Sequence, residues 1–206
     1  ILKECTSIAQ YYMIDPWKNL NDWNKPANTD SDTFEHFYQE TLTKTNFANE
    51  RRVILRGTTA NMAPQIPDES LDFAYIDGDH TLRGVTIDLI NIYPKIKNLG
   101  WVIGDDFHPS MWQHPTSFEP TAVFPFAVYF AEAISAQIYA LPHNQFVIQK
   151  VENGIFEFID LTGQYANTGL RHHFVKNATA RNVKTSFNMF KFLFSALSPF
   201  TRKKKK

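Results

Sequence analysis

Two apolar segments that each end in aspartates constrain this chain more than any other feature. The first reads Leu71-Asp72-Phe73-Ala74-Tyr75-Ile76-Asp77-Gly78-Asp79-His80, the second Gly100-Trp101-Val102-Ile103-Gly104-Asp105-Asp106-Phe107. Between them Leu82, Val85, Leu89, Ile92 and Ile96 recur at three- and four-residue spacing, the pattern of an amphipathic helix. Strand, helix, strand in that order builds a parallel pair. A carboxylate at the mouth of a buried strand is costly unless a metal, hydrogen bonds or a ligand offsets its desolvation. Two such strands side by side would gather three or four carboxylates. That points to a divalent cation and to chemistry on a hydroxyl.

The rest of the chain extends the same theme. Residues 10–15 read as a strand ending at Asp15, with residues 1–9 as the last turns of a preceding helix. Asp32 with Glu35 three residues on resembles a capping pair that opens a helix through about Thr43. Residues 52–55 form a β-type run closed by Gly57, and residues 121–137 read as a further helix. Residues 145–151 and 155–159 straddle Asn153-Gly154, a hairpin turn signal. The expected fold is α/β, mostly parallel, with an antiparallel hairpin at its C-terminal end. Ligands of open parallel sheets collect outside the carboxyl ends of the strands. Asp15, Gly57, Asp77 and Asp105 all fall at such ends.

The strand-IDGDH, helix, strand-GDDF arrangement resembles the class I S-adenosylmethionine-dependent methyltransferases, in particular the small-molecule O-methyltransferases of the catechol and macrolide-sugar type. The likeness covers residues 11–158. It implies a Rossmann-like fold and roles for individual residues. Asp77, Asp105 and Asp106 match metal-binding carboxylates, an oxygen set suited to Mg²⁺. His80 falls where the catechol type has its general base; a helix cap or a loop hydrogen bond is the alternative for His80, as a turn cap is for Asp79. Asp15 matches the acid that binds the ribose hydroxyls, and Trp17 would cover the adenosine or simply pack. Gly57-Thr58-Thr59-Ala60 matches the turn beside the adenine, and Asp77 borders the same cofactor. His108 and His114 are candidates for substrate contact, and Trp112, Phe118, Phe124 and Phe126 for an apolar wall. The family's first strand and its Gly-rich turn have no counterpart, so the resemblance implies a domain lacking its N-terminal part (residues 1–161) or a degenerate non-catalytic relative. In the family fold that strand lies centrally, between the strands ending at Asp15 and Asp77.

The bulk properties narrow the function classes. Lys plus Arg number 21 against 21 Asp plus Glu, which argues against nucleic acid as a partner. One cysteine, Cys5, fits a reducing compartment, and a cytoplasmic location is expected. Residues 162–206 form a C-terminal extension; its apolar stretch 187–200 and following basic tail read as a terminal helix with a solvated end or as a membrane-surface anchor. Asn177-Ala178-Thr179 fits a glycosylation sequon. The leading functional expectation is a Mg-assisted O-methyltransferase acting on a small hydroxylated molecule. A nucleotide-sugar glycosyltransferase using Asp77-Gly78-Asp79, or a Rossmann-like binding domain without catalysis, are the alternatives.

Overall fold

In a computed structural model, which describes residues 1–166, seven strands and four α-helices form one compact unit ending at Ala166. The apolar segment 187–200, the basic tail and the sequon lie outside the described residues. The strands are β1 (Tyr11–Asp15), β2 (Arg52–Arg56), β3 (Leu71–Ile76), β4 (Ile96–Gly104), β5 (Gln137–Leu141), β6 (Gln145–Gln149) and β7 (Glu157–Asp160). The helices are α1 (Ser31–Lys44), α2 (Thr59–Met62), α3 (Leu82–Ile92) and α4 (Val123–Ala133). β1 and β2 pair in parallel as a two-stranded ribbon, and the remaining five run in the order β3-β4-β6-β5-β7. β3–β4 and β5–β7 are parallel, whereas β6 is antiparallel to both its neighbours. The mixed α/β architecture is the expected one. β1 and β3 do not pair with each other, and a cavity runs along both of them where the family resemblance places a strand.

Four local expectations change. Residues 1–9 make turns, not a helix: Arg51 takes the carbonyls of Leu2, Cys5 and Ile8, which an extended helix would need for itself. The cap of α1 is Asp30, whose side chain accepts from Thr33 N at 2.8 Å, so the helix opens one residue before Asp32. The segment 121–137 splits, because α4 stops at Ala133, Ser135 turns at φ 54° and the chain re-enters the sheet as β5. The hairpin also has another partner. β6 folds back on β5 through residues 142–144, while β7 crosses over to pair in parallel with β5.

The core lies between one face of the larger sheet and helices α3 and α4. Val85, Leu89 and Ile92 from α3 meet Val102, Ile138, Phe146 and Ile148 from the strands, all buried. Phe107, Phe124, Phe158 and Tyr165 form an aromatic knot beside them, with ring centroids 4.9 to 6.3 Å apart. The Tyr165 hydroxyl donates to the Phe107 carbonyl within that knot. Residues 162–166 therefore pack with the compact unit. The opposite face exposes Phe73, Tyr75 and Trp101.

Candidate functional site

The carboxyl ends of β1, β2 and β3 open on a cavity of about 950 Å³. Asp15, Gly57, Thr58, Thr59, Ala60 and Asp77 all line it. Six of the seven residues read as cofactor-binding thus share one space, brought there by parallel strands that end on the same rim. Asp15 is half-buried, and desolvation raises its pKa against the lowering effect of the Trp17 backbone N–H. That N–H donates to Asp15 Oδ1 at 2.6 Å, so the second carboxylate oxygen is the better placed for a ligand hydroxyl. Thr58 precedes α2 in extended conformation, and its side chain makes no capping bond.

The seventh residue, Trp17, does not line the cavity. It is 7% exposed, takes φ 41° and packs its ring 5.2 Å from that of Tyr38 on α1. Ordinary packing accounts for it. Phe124, likewise, belongs to the aromatic knot and not to a substrate wall. His108 turns inward on its own loop, its Nδ1 accepting from Ser110 N at 2.9 Å.

His80 stands beside the cavity between two carboxylates. Its Nδ1 is 2.6 Å from Asp106 Oδ2, and its Nε2 is 3.3 Å from Asp77 Oδ1. The second contact lacks hydrogen-bond alignment, which leaves the buried Nε2 without a partner. Burial alone would lower the His80 pKa. The proximity and negative charge of Asp106 and Asp77 more than reverse this and hold it at about 9. The ring is therefore an imidazolium at neutral pH. Asp106 is correspondingly lowered, chiefly by its hydrogen bond with His80.

The three aspartates read as metal ligands are not gathered. Asp106 takes φ 54°, a left-handed turn that swings its carboxylate to His80. Asp105 continues the alternation of β4 and accepts from Tyr75 Oη at 3.3 Å, on the sheet face away from α3 and α4. Among the described residues no group of three or more His, Cys, Asp or Glu is arranged to hold a metal ion. This donor set does not fit the near-octahedral oxygen shell of Mg²⁺. Asp79 is occupied as well, accepting from Thr81 N at 2.9 Å and Thr81 Oγ1 at 3.0 Å at the start of α3. The Asp77-Gly78-Asp79 pair therefore offers no two-carboxylate clamp for a nucleotide-bound cation.

Two polar residues escaped the sequence reading. Asp88 on α3 is 9% exposed and lines the cavity; its signal was an acid inside the apolar stripe of an amphipathic helix. Lys25 is 6% exposed and donates to the Glu119 carbonyl at 2.8 Å and Thr121 Oγ1 at 3.2 Å. It pins the loop of residues 16–30 to the segment that reaches His80, whose carbonyl accepts from Ala122 N at 2.8 Å. Desolvation lowers the Lys25 pKa against the charges of Asp79, Asp106 and Glu119. No sequence pattern marks Lys25, because the bonds that bury it join positions 94 and 96 residues apart.

Residues 1–107 match the methyltransferase-domain family. The chain belongs to that family. The match spans β1 to β4 and so contains every strand end that borders the methyltransferase cavity. Among solved structures, a Corynebacterium glutamicum protein is 12% identical over 70% of this chain and 62% of its own, at a TM-score of 0.48. The O-methyltransferase NovP is 20% identical over 69% of this chain and 60% of its own, at 0.46. The MycE methyltransferase from the mycinamycin biosynthetic pathway, solved with Mg, SAH and mycinamycin VI, is 12% identical over 75% and 50%, at 0.40. This chain spans between half and about three fifths of the length of these proteins. No curated protein shows a significant match.

Proposed function

We propose that this methyltransferase domain takes the methyl group of S-adenosylmethionine and delivers it to a hydroxyl of a small molecule. The observation that carries the reading is the shared rim: Asp15, the 57–60 turn and Asp77 line one cavity in a chain of the methyltransferase-domain family. When bound, S-adenosylmethionine supplies a methyl group on a sulfonium sulfur, open to attack by an oxygen nucleophile. Asp15 would accept the ribose hydroxyls, and Thr58 and Thr59 would meet the base. Asp77 lines the cavity beside His80, close to where charge must be handled.

The chain's own chemistry centres on His80. Nδ1 is held by Asp106, which fixes the ring; Nε2 is buried against Asp77, which lines the cavity, so a proton exchanged between the ring and a substrate hydroxyl would pass by way of Asp77. With a pKa of about 9, only roughly one ring in a hundred is neutral at pH 7, so proton acceptance strengthens as pH rises. The remaining imidazolium would stabilise negative charge on the oxygen. Since the aspartates do not gather around a cation position, no step is routed through a metal.

Calorimetry with S-adenosylhomocysteine and methyl transfer from labelled S-adenosylmethionine test the reading. Asp15→Asn should weaken S-adenosylhomocysteine by about 10- to 100-fold, the scale of a hydrogen bond to a charged group. Methyl transfer should climb between pH 7 and 9, and His80→Gln should flatten that rise. Failure of the chain to bind S-adenosylhomocysteine sinks the cofactor reading; a flat pH profile in the native protein sinks the role of His80.

A further inference from the structure

The loop that leaves β1 is tied together from within and bridges the mouth of the cavity. One side chain staples residues 19–28. Asn28 Oδ1 accepts from Asn19 Nδ2 at 3.2 Å and from Leu20 N at 3.0 Å, and its Nδ2 donates to the carbonyls of Leu20 and Trp23, both at 2.7 Å. A surface loop packed by its own side chains in this way behaves as a unit. Pro16, Lys18, Leu20, Asp22 and Trp23 of the loop line the cavity, and so does Arg83 in the first turn of α3.

The two sides of this unit are fastened differently. On one side Lys25 is buried and donates to the Glu119 carbonyl and Thr121 Oγ1. Asn24 adds to that anchor, its Nδ2 donating to the Ser117 carbonyl at 2.9 Å and its carbonyl accepting from Glu119 N at 3.3 Å. On the other side Arg83 Nη1 donates to Asp22 Oδ2 at 2.7 Å and Nη2 donates to the Asp22 carbonyl at 3.0 Å. Both of these side chains are exposed, so water can take over their bonds at little cost. A buried anchor facing a solvated one is the layout of a hinge side and a latch side. Asp22 follows β1 and Arg83 follows β3, so the solvated pair crosses between the strand ends that carry Asp15 and Asp77.

We propose that residues 16–30 form a flap over the cofactor cavity and that the Arg83–Asp22 pair is its latch, setting how fast the ligand enters and leaves without setting how tightly it is held. The inference rests on the reading above that the cofactor and its product occupy this cavity. A ligand seated between the two strand ends exchanges only while the latch is open. Breaking the pair raises the open fraction of the empty and the occupied protein alike. Entry and release then quicken by one common factor, and their ratio, the affinity, stays put. Loss of a structural support for the seat would act otherwise: release alone would quicken, and binding would weaken. Arg83 is thus a positioning residue that acts through Asp22.

Surface plasmon resonance with S-adenosylhomocysteine over the immobilised full chain tests the inference in the native protein, Arg83→Ala, Asp22→Ala and the double variant. At low salt each variant should bind and release the compound about 2- to 5-fold faster than the native protein, the scale of an exposed ion pair, with Kd within about twofold. The double variant should be no faster than the singles, because both remove the same pair. In about 1 M salt, where screening acts within about 3 Å, the native rates should rise toward those of the variants. Should a variant fail to fold, the salt comparison on the native protein decides alone. Rates equal to native in the variants, native rates indifferent to salt, or faster release with unchanged entry overturn the inference while leaving the cofactor reading intact. No binding of S-adenosylhomocysteine by the native protein overturns both.

Discussion

Replacing His80 by Gln should destabilise the domain most at pH 6 and progressively less as pH rises toward 9.5. The His80 pKa is raised from 6.5 to about 9 by Asp106 and Asp77. A raised folded-state pKa contributes stability that is fully present below the unfolded value of 6.5 and is lost as pH climbs through 9. The difference between 6.5 and about 9, at ~1.4 kcal/mol per pH unit, sets a ceiling of ~3 kcal/mol. The partners are partly solvated, with Asp77 55% and Asp106 35% exposed, so solvent screening reduces the expectation to ~1–2 kcal/mol. The lowered pKa of Asp106 is the same interaction seen from its partner and is not added. Urea unfolding of native and variant protein at pH 6, 7.5 and 9.5 gives the stability difference at each pH. Packing changes in the variant shift all three values alike, so the narrowing from pH 6 to 9.5 isolates the charge effect. A difference that stays constant, or widens with pH, refutes the imidazolium between two carboxylates.

Tyr165→Phe should lower stability by ~1–3 kcal/mol, because it leaves the buried Phe107 carbonyl without its donor while preserving the aromatic knot; an unchanged urea midpoint would dismiss that bond. Trp17→Phe should cost roughly 1–3 kcal/mol through lost contact with Tyr38 yet leave S-adenosylhomocysteine affinity within about twofold, and a tenfold loss would return Trp17 to the ligand. Lys25→Met keeps the buried stem but removes the ammonium that ties residues 119 and 121 to the 16–30 loop. Amide hydrogen exchange should quicken over residues 117–122 and stay unchanged in β6; uniform exchange across both would show that Lys25 is no local pin.

Patterns that repeat within a single element were legible in the sequence, and those that depend on a partner were not. The stripe of α3 and the apolar runs of β3 and β4 announce their elements, and the parallel arrangement they imply places Asp15, Gly57 and Asp77 on one rim. The Asn153-Gly154 signal is also real, since Asn153 turns at φ 57°, but a turn does not choose which strands pair. β6 pairs with β5 and not with β7, and residues 138–141, most of β5, lie outside every element expected from the sequence. Adjacent aspartates mislead for a related reason. Side chains alternate across a strand, so Asp105 follows Tyr75 to the open face, and only the left-handed turn at Asp106 brings the next carboxylate to His80. Asp88 inverts the lesson. The acids at strand ends are conspicuous, yet solvent reaches most of them, and one of them, Asp79, is held by Thr81, the N-cap of the helix that follows. An acid at position 88 sits four residues after Gly84 and beside Leu89, within a stripe whose other members are Gly84, Val85, Leu89 and Ile92. A carboxylate tolerated there must be answered by neighbours or by a ligand, since burial raises its pKa to about 6. A polar break in a buried stripe is thus the sharper pointer to this cavity: burial forces each of its hydrogen bonds to be specified, whereas an exposed aspartate is content with water.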